Sequence, residues 1–203
     1  MPVGNRHWLI LQFRDDPQTE KTESGMEKIR ILDKEFEKNI PYEKIQEVVA
    51  EMAGSIYADY RNSMPLFLCV LNGSFMFAAD LFKVYRGECE ISFIKLSSYA
   101  GTTTTGEVKS VIGLTEDIGG RDVIILEDIV DSGITVSHLV RDLNTCNPQS
   151  IRVATLLLKP DALRENVRPD YIGMEIPNDF IVGYGLDYNG FGRNHKDIYK
   201  IVG

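Results

Sequence analysis

Residues 123–135, VIILEDIVDSGIT, decide how the rest of the chain is read. Val123, Ile124, Ile125 and Leu126 are too few for a helix and β-branched enough for a strand buried on both faces. Glu127 and Asp128 follow at the strand's carboxyl end, where open α/β sheets place their ligands. Asp131, Ser132 and Gly133 supply a turn and an N-cap for a helix over 134–143. A helix N-terminus with free N–H groups and hydroxyls is a ready phosphate site. One segment thus sets acids for a metal or a cationic sugar beside a cradle for a phosphate.

Working outward, the same strand–turn–helix unit recurs. Residues 66–71, LFLCVL, predict a buried strand, Asn72-Gly73-Ser74 a turn, and 75–85 a return helix. Two such units imply a parallel sheet with crossover helices. Ile45, Val48, Val49, Met52 and Ile56 fall on one face of a helix over 42–60. Residues 90–96 and 108–114 predict two strands of an antiparallel arm, and the glycine- and threonine-rich stretch 97–107 between them is long enough to be a lid. Further strands are expected at 151–158, 171–176, 180–184 and 198–202. Residues 14–25 are polar and aperiodic, so residues 1–25 are expected to be a flexible extension, with one compact domain beginning near Met26.

A chain of 203 residues, 43% hydrophobic, can bury the core of one full domain. Its formal net charge of −8 disfavours nucleic acid and anionic membrane as partners, so a phosphate must be held by local geometry. Cys69, Cys89 and Cys146 form no C-x-x-C pair, which fits a reducing cytosol rather than a disulfide framework or a zinc site. The apolar run 8–11 is too short for a signal-peptide core, and no segment is long enough to span a bilayer. A cytoplasmic location is the expectation, and the glycosylation pattern at Asn72-Gly73-Ser74 is then a chance match.

Residues 127–135 resemble the phosphoribosyl pyrophosphate (PRPP) signature of type I phosphoribosyltransferases: a hydrophobic strand, two acids, two apolar residues, then Asp-Ser/Thr-Gly-x-Thr. The segments Leu71-Asn72-Gly73-Ser74, Ser98-Tyr99, Lys159, and 180–189 with Arg193 resemble the 6-oxopurine branch, the hypoxanthine and hypoxanthine-guanine enzymes. The resemblance runs from about Ile29 to Val202. It implies an α/β fold, a Rossmann-like parallel sheet flanked by helices, with a small hood subdomain and a flexible antiparallel lid loop. The core would span about 42–160, and the hood about 26–40 and 161–203.

The resemblance also implies a reaction and roles. A 6-oxopurine attacks C1′ of PRPP, pyrophosphate leaves, and a nucleoside monophosphate such as IMP results. Asp131, Ser132, Gly133, Ile134 and Thr135 would bind the 5′-phosphate. Ile134 brings no positive side chain, so the turn itself must suffice. Glu127 and Asp128 would bind the ribose hydroxyls, directly or through Mg²⁺-bound water, and Asp187 would ligate a second Mg²⁺. Asp131 would be the general base toward purine N7. Lys159 would donate to O6, Phe180 would stack on the base, and the Ile181 backbone, with Asp187 nearby, would bind the base's edge. Asn72, Gly73 and Arg193 would contact pyrophosphate, across a cis peptide at Leu71-Asn72, although many relatives carry lysine where this chain has Asn72. Ser98 and Tyr99 would cover the site when the lid closes, excluding water. Relatives imply a homodimer or homotetramer.

Two other readings use part of the same pattern. A non-catalytic PRPP sensor would keep the fold, but the joint presence of Asp131, Lys159, Asp187 and Arg193 favours an enzyme. A receiver-like signalling domain also clusters acids at strand ends, yet it has no use for residues 180–193.

Overall fold

The computed structural model describes residues 19–21, 27–98, 108–112, 114–165 and 168–203. The central sheet is built from β4 (Leu66–Leu71), β5 (Glu90–Ser98), β6 (Val108–Ile112), β7 (Asp122–Val130), β8 (Ser150–Leu158) and β9 (Tyr171–Glu175). Their order is β6-β5-β4-β7-β8-β9, all parallel except the antiparallel edge strand β6. A smaller antiparallel sheet has the order β1-β2-β3-β11-β10, from β1 (Thr19–Lys21), β2 (Glu27–Ile31), β3 (Lys34–Ile40), β10 (Ile181–Val182) and β11 (Ile198–Ile201). Thus part of the polar N-terminal stretch, read as flexible, pairs with β2 as a three-residue strand.

The continuous apolar runs in the parallel strands follow from burial on both faces. Phe67, Cys69, Ile124, Leu126, Ala154 and Leu156 form one core with α1 (Tyr42–Tyr60) and α2 (Phe75–Val84). The alternate residues Leu66, Leu68, Val70, Val123, Ile125 and Val153 form a second core with Val136, Leu139 and Leu143 of α3 (Ile134–Asn144). Each fully buried aliphatic or aromatic side chain is worth about 1.5–3 kcal/mol, so the two layers hold the strand ends, and the loops upon them, in register. A third small core, Ile29, Ile31, Phe36, Val182 and Tyr199, ties the smaller sheet together.

Helix α1 starts behind Pro41, and its first N–H, that of Tyr42, donates to Asp197 Oδ1 at 2.7 Å. The cap comes from the far end of the chain. The expected strand over 180–184 shortens to Ile181–Val182, because Gly183, Tyr184 and Gly185 all take positive φ and leave the extended region. The lid expectation is met only in its arm: β5 and β6 pair antiparallel, while Tyr99 and the tip 99–107 lie outside the described residues. Ser98 is the last residue of β5.

The topology locates the site. From β4 the chain crosses to β5 on one side, while β7 packs on the other. The carboxyl ends of β4 and β7 therefore flank the switch point where open α/β sheets bind ligands.

Candidate active site

Strand β7 pairs with β4 only as far as Leu126, then runs on beside β8 to Val130. Glu127 and Asp128 are therefore not at the strand's very end; they sit where β4 has turned away, which opens space beside them. The turn leaving β4 fills part of it. A Cβ on Gly73 would lie 1.8 Å from Asp128 Oδ2, so only glycine lets that backbone pass the carboxylate. The Leu71–Asn72 peptide bond is cis, as the resemblance implies.

A cleft of about 360 Å³ lies over these ends, lined by Gly73, Asp128, Ile129, Asp131, Lys159, Phe180, Ile181, Leu186, Asp187 and Arg193. Eight of these ten are residues singled out in the sequence. Lys159 leaves the end of β8 buried, and its Nζ reaches Asp131 Oδ2 at 3.1 Å. Asp131 thus pairs with the neighbouring strand end instead of capping α3. The N-cap is Gly133 at φ +77°, which has no side chain to offer; Ser132 Oγ is 3.5 Å from the Ile134 N–H. That corrects the expected side-chain cap and leaves the first-turn N–H groups of α3 for an anion, with Ile134 and Thr135 exposed beside them.

On the opposite wall, Phe180 is 45% exposed and packs edge-on to Tyr188, ring centroids 5.9 Å apart. A half-exposed aromatic on a cleft wall is a platform rather than a core residue. Asp187 pairs with Arg193 Nη2 and accepts the Gly190 N–H at 2.6 Å. Arg193 Nη1 donates to the Gly185 carbonyl.

The acids of β7 carry the clearest electrostatic signature. Burial drives the Glu127 carboxyl well above the usual range, with the Asp128 charge adding to it. Its Oε2 is buried without a hydrogen-bond partner. Burial also pushes Asp128 up to about 6, opposed by the Ile129 N–H that its Oδ1 accepts at 3.0 Å and by Arg193, and reinforced by Asp187. An orphaned carboxylate oxygen beside a second strained acid is costly unless a cation or hydroxyl meets it. Among the described residues no three acids, histidines or cysteines converge as a metal cluster. Any cation here would complete its shell with ligand and water oxygens, the normal habit of Mg²⁺.

A family model described as phosphoribosyl transferase domain matches residues 41–189. The chain belongs to this family. The hypoxanthine-guanine phosphoribosyltransferase of Mycobacterium bovis is 46% identical over 166 residues, covering 78% of this chain and 81% of that protein. The protein of that name in Bacillus subtilis is 40% identical over 156 residues, covering 76% and 87%. A crystal structure of a hypoxanthine-guanine phosphoribosyltransferase from Bacillus anthracis, with HEPES in its active site, superposes with a TM-score of 0.78 at 38% identity, covering 85% of this chain and 100% of that one. The architecture is the type I phosphoribosyltransferase fold with an additional antiparallel sheet. No helix among the described residues is long and apolar enough to cross a membrane.

The family match spans both walls of the cleft up to Asn189 and stops short of Arg193. Sequence reasoning missed Ile129 and Leu186 as lining residues. Ile129 could not have been found by alternation: it packs against the core of Ile124 and Leu126, on the face where a strict period of two would put Asp128. Gly185, whose added Cβ would lie 2.0 Å from the Gly73 carbonyl oxygen, has no local signal beyond being glycine. Of the expected site residues, Asn72 is exposed at the turn and does not line the cleft, Ser132, Gly133, Ile134 and Thr135 lie outside its lining at the start of α3, and Glu127 is buried.

Proposed function

We propose that this chain transfers the 5-phosphoribosyl group of PRPP to hypoxanthine or guanine, giving IMP or GMP and pyrophosphate. The observation that carries the proposal is the Lys159–Asp131 contact, which brings a base-reading cation and a proton acceptor together at the phosphate turn. The N-terminus of α3, with Ser132 and Thr135, holds the 5′-phosphate; Gly133 lets the backbone approach it. Glu127 and Asp128 meet the ribose hydroxyls. Phe180 stacks on the purine, Lys159 donates to O6, and the Ile181 backbone reads the edge. A donor at O6 suits a 6-oxopurine and opposes adenine, whose amino group is itself a donor. Asp131 takes the N7 proton as the C1′–N9 bond forms. Gly73, Asn72 and Arg193 hold the pyrophosphate, and Ser98 and Tyr99 close over it.

The orphaned Glu127 oxygen, the raised Asp128 carboxyl and Asp187 fit Mg²⁺. Bound there, the ion supplies charge neutralisation for the pyrophosphate. The hood is the smaller sheet, the enzyme works in the cytoplasm, and it assembles as a homodimer or homotetramer. The test is direct: purified protein, Mg²⁺ and PRPP with each purine base, following nucleotide formation. IMP or GMP should accumulate and AMP should not; no nucleotide from any 6-oxopurine overturns the proposal.

A further inference from the structure

Residues 183–186 form a strap between the two walls of the cleft. Gly183 and Leu186 close it as a bridge, and Gly183, Tyr184 and Gly185 sit at φ +95°, +48° and +98°. Its backbone is tied to the segment behind it: the Tyr184 N–H donates to the His195 carbonyl at 2.7 Å, and the Gly185 N–H to the Arg193 carbonyl at 3.0 Å. The Gly185 carbonyl in turn accepts Arg193 Nη1. On its other side Gly185 lies against the Gly73 carbonyl, with no room for a Cβ. The strap is therefore the spacer between Gly73 on one side and Arg193 with Asp187 on the other.

One side chain sets how deep the spacer sits. Tyr184 is fully buried, and its hydroxyl donates to Asp80 Oδ2 on α2 at 2.8 Å. Gln46 of α1 donates to the same oxygen at 2.6 Å, and Lys83 to Oδ1 at 2.7 Å. Asp80 itself is 5% exposed. Burial raises its carboxyl, but the donated bonds from Lys83, Tyr184 and Gln46 outweigh that and hold it below the ordinary range. Asp80 does not line the cleft, and an ion pair such as Asp80–Lys83 is in itself weak evidence for a role in stability. A charge-assisted bond, by contrast, fixes the depth and direction of the ring.

We propose that Asp80 is a positioning residue for the pyrophosphate side of the site: through the Tyr184 hydroxyl it holds the 183–186 strap at the depth that sets Gly73 opposite Arg193 and Asp187. This rests on the assignment of that side to pyrophosphate given above. The effect is directional. Loss of the Tyr184–Asp80 bond loosens the pyrophosphate side and leaves the purine platform of Phe180 and the phosphate turn of α3 in place.

The experiment uses Tyr184→Phe, which keeps the buried ring and removes only the hydroxyl, and Asp80→Asn, which keeps shape and one acceptor. Both are measured by calorimetric titration with Mg²⁺–pyrophosphate and with IMP, by the KM for each substrate, and by thermal melting. The expected result is a weakening of pyrophosphate binding by about tenfold, the size of one hydrogen bond to a charged group, matched by a rise in the KM for PRPP. IMP binding and the KM for hypoxanthine should stay within about twofold. Tyr184→Phe with unchanged pyrophosphate affinity, or with both substrates weakened equally alongside a lowered melting point, overturns the inference. Absence of nucleotide formation by the unaltered protein instead overturns the assigned reaction, which the titrations read separately.

Discussion

Asp131 does two things at once: it is half exposed at the cleft, and it neutralises the buried Lys159 ammonium. A carboxylate so placed is ready both to release the lysine to a purine oxygen and to accept a proton. Asp131→Asn keeps an acceptor for Lys159, so the fold should survive, while the proton acceptor is gone. We expect kcat to fall by about 10²–10⁴-fold with PRPP affinity little changed; stopped-flow and steady-state kinetics check it, and an unchanged kcat would sink the base assignment. Asp128 gives a pH signature. Its carboxyl is raised to about 6 by burial, so the folded protein holds a proton there that the unfolded chain releases near pH 4. The contribution is therefore fully present at low pH and is lost as pH rises through 6, by about 2 kcal/mol after allowance for partial solvent access. Glu127 is shifted in the same direction, which extends the loss upward in pH. Urea unfolding between pH 4 and 8 should show this decline in the ligand-free protein, and Asp128→Asn should flatten part of it. Stability rising across that range would contradict the burial argument.

At the scale of elements, two glycines of similar sequence surroundings have opposite duties. Gly73 lies in the turn after β4, where a Cβ would collide with Asp128 Oδ2. Gly54 lies inside α1, exposed, with nothing within 4 Å of an added Cβ. Gly73→Ala should push Asp128 or the turn aside, lowering stability by about 1–3 kcal/mol and PRPP affinity by at least about tenfold. Gly54→Ala should add about 0.5–1 kcal/mol, because alanine loses less freedom on entering a helix. Melting curves of the pair, with a PRPP titration, separate the two; a Gly73→Ala protein that binds PRPP normally would show that the close approach is not needed. The elements of the central layer were legible from sequence, whereas β1, β2 and β3 of the smaller sheet were not. The bounds of α1 and β4 follow from one apolar face at helical spacing and one short β-branched run, both local signals. The phosphate turn was legible too, but not the way it starts α3: a left-handed Gly133 replaces a side-chain cap, and φ is not written in hydropathy.

At the scale of the molecule, what joins the two sheets was not legible, because it depends on pairs far apart in the chain. Tyr184 reaches Asp80 across 104 positions, and Tyr42 reaches Asp197 across 155. No periodicity marks either acid, and charged residues are ordinarily read as surface. Yet Asp197 is 2% exposed. One oxygen takes the first N–H of α1, and the other pairs with Lys38 of β3 at 2.9 Å, which also pairs with Glu27 of β2. The Tyr199 hydroxyl completes the group, donating to Glu27 at 2.9 Å. A single carboxylate thus caps a helix of the central layer and anchors the smaller sheet, which carries the Ile181 wall of the cleft. Asp197→Ala removes a helix cap, worth about 1 kcal/mol, and a buried acceptor of a charged donor, worth about 1.5–3 kcal/mol. Asp197→Asn retains an acceptor for Tyr42 and loses the ion pair with Lys38, with the long Tyr199 hydroxyl bond to the same oxygen also affected, so it should lie between. For a chain of this size each kcal/mol moves the melting point by about 2–4 °C, so Asp197→Ala should melt about 5–15 °C lower. Because the smaller sheet holds the purine wall, the KM for the purine should rise in Asp197→Ala before activity is lost. A variant within about 0.5 kcal/mol of the parent in chemical denaturation, with unchanged purine KM, would show that the two sheets are joined by packing alone.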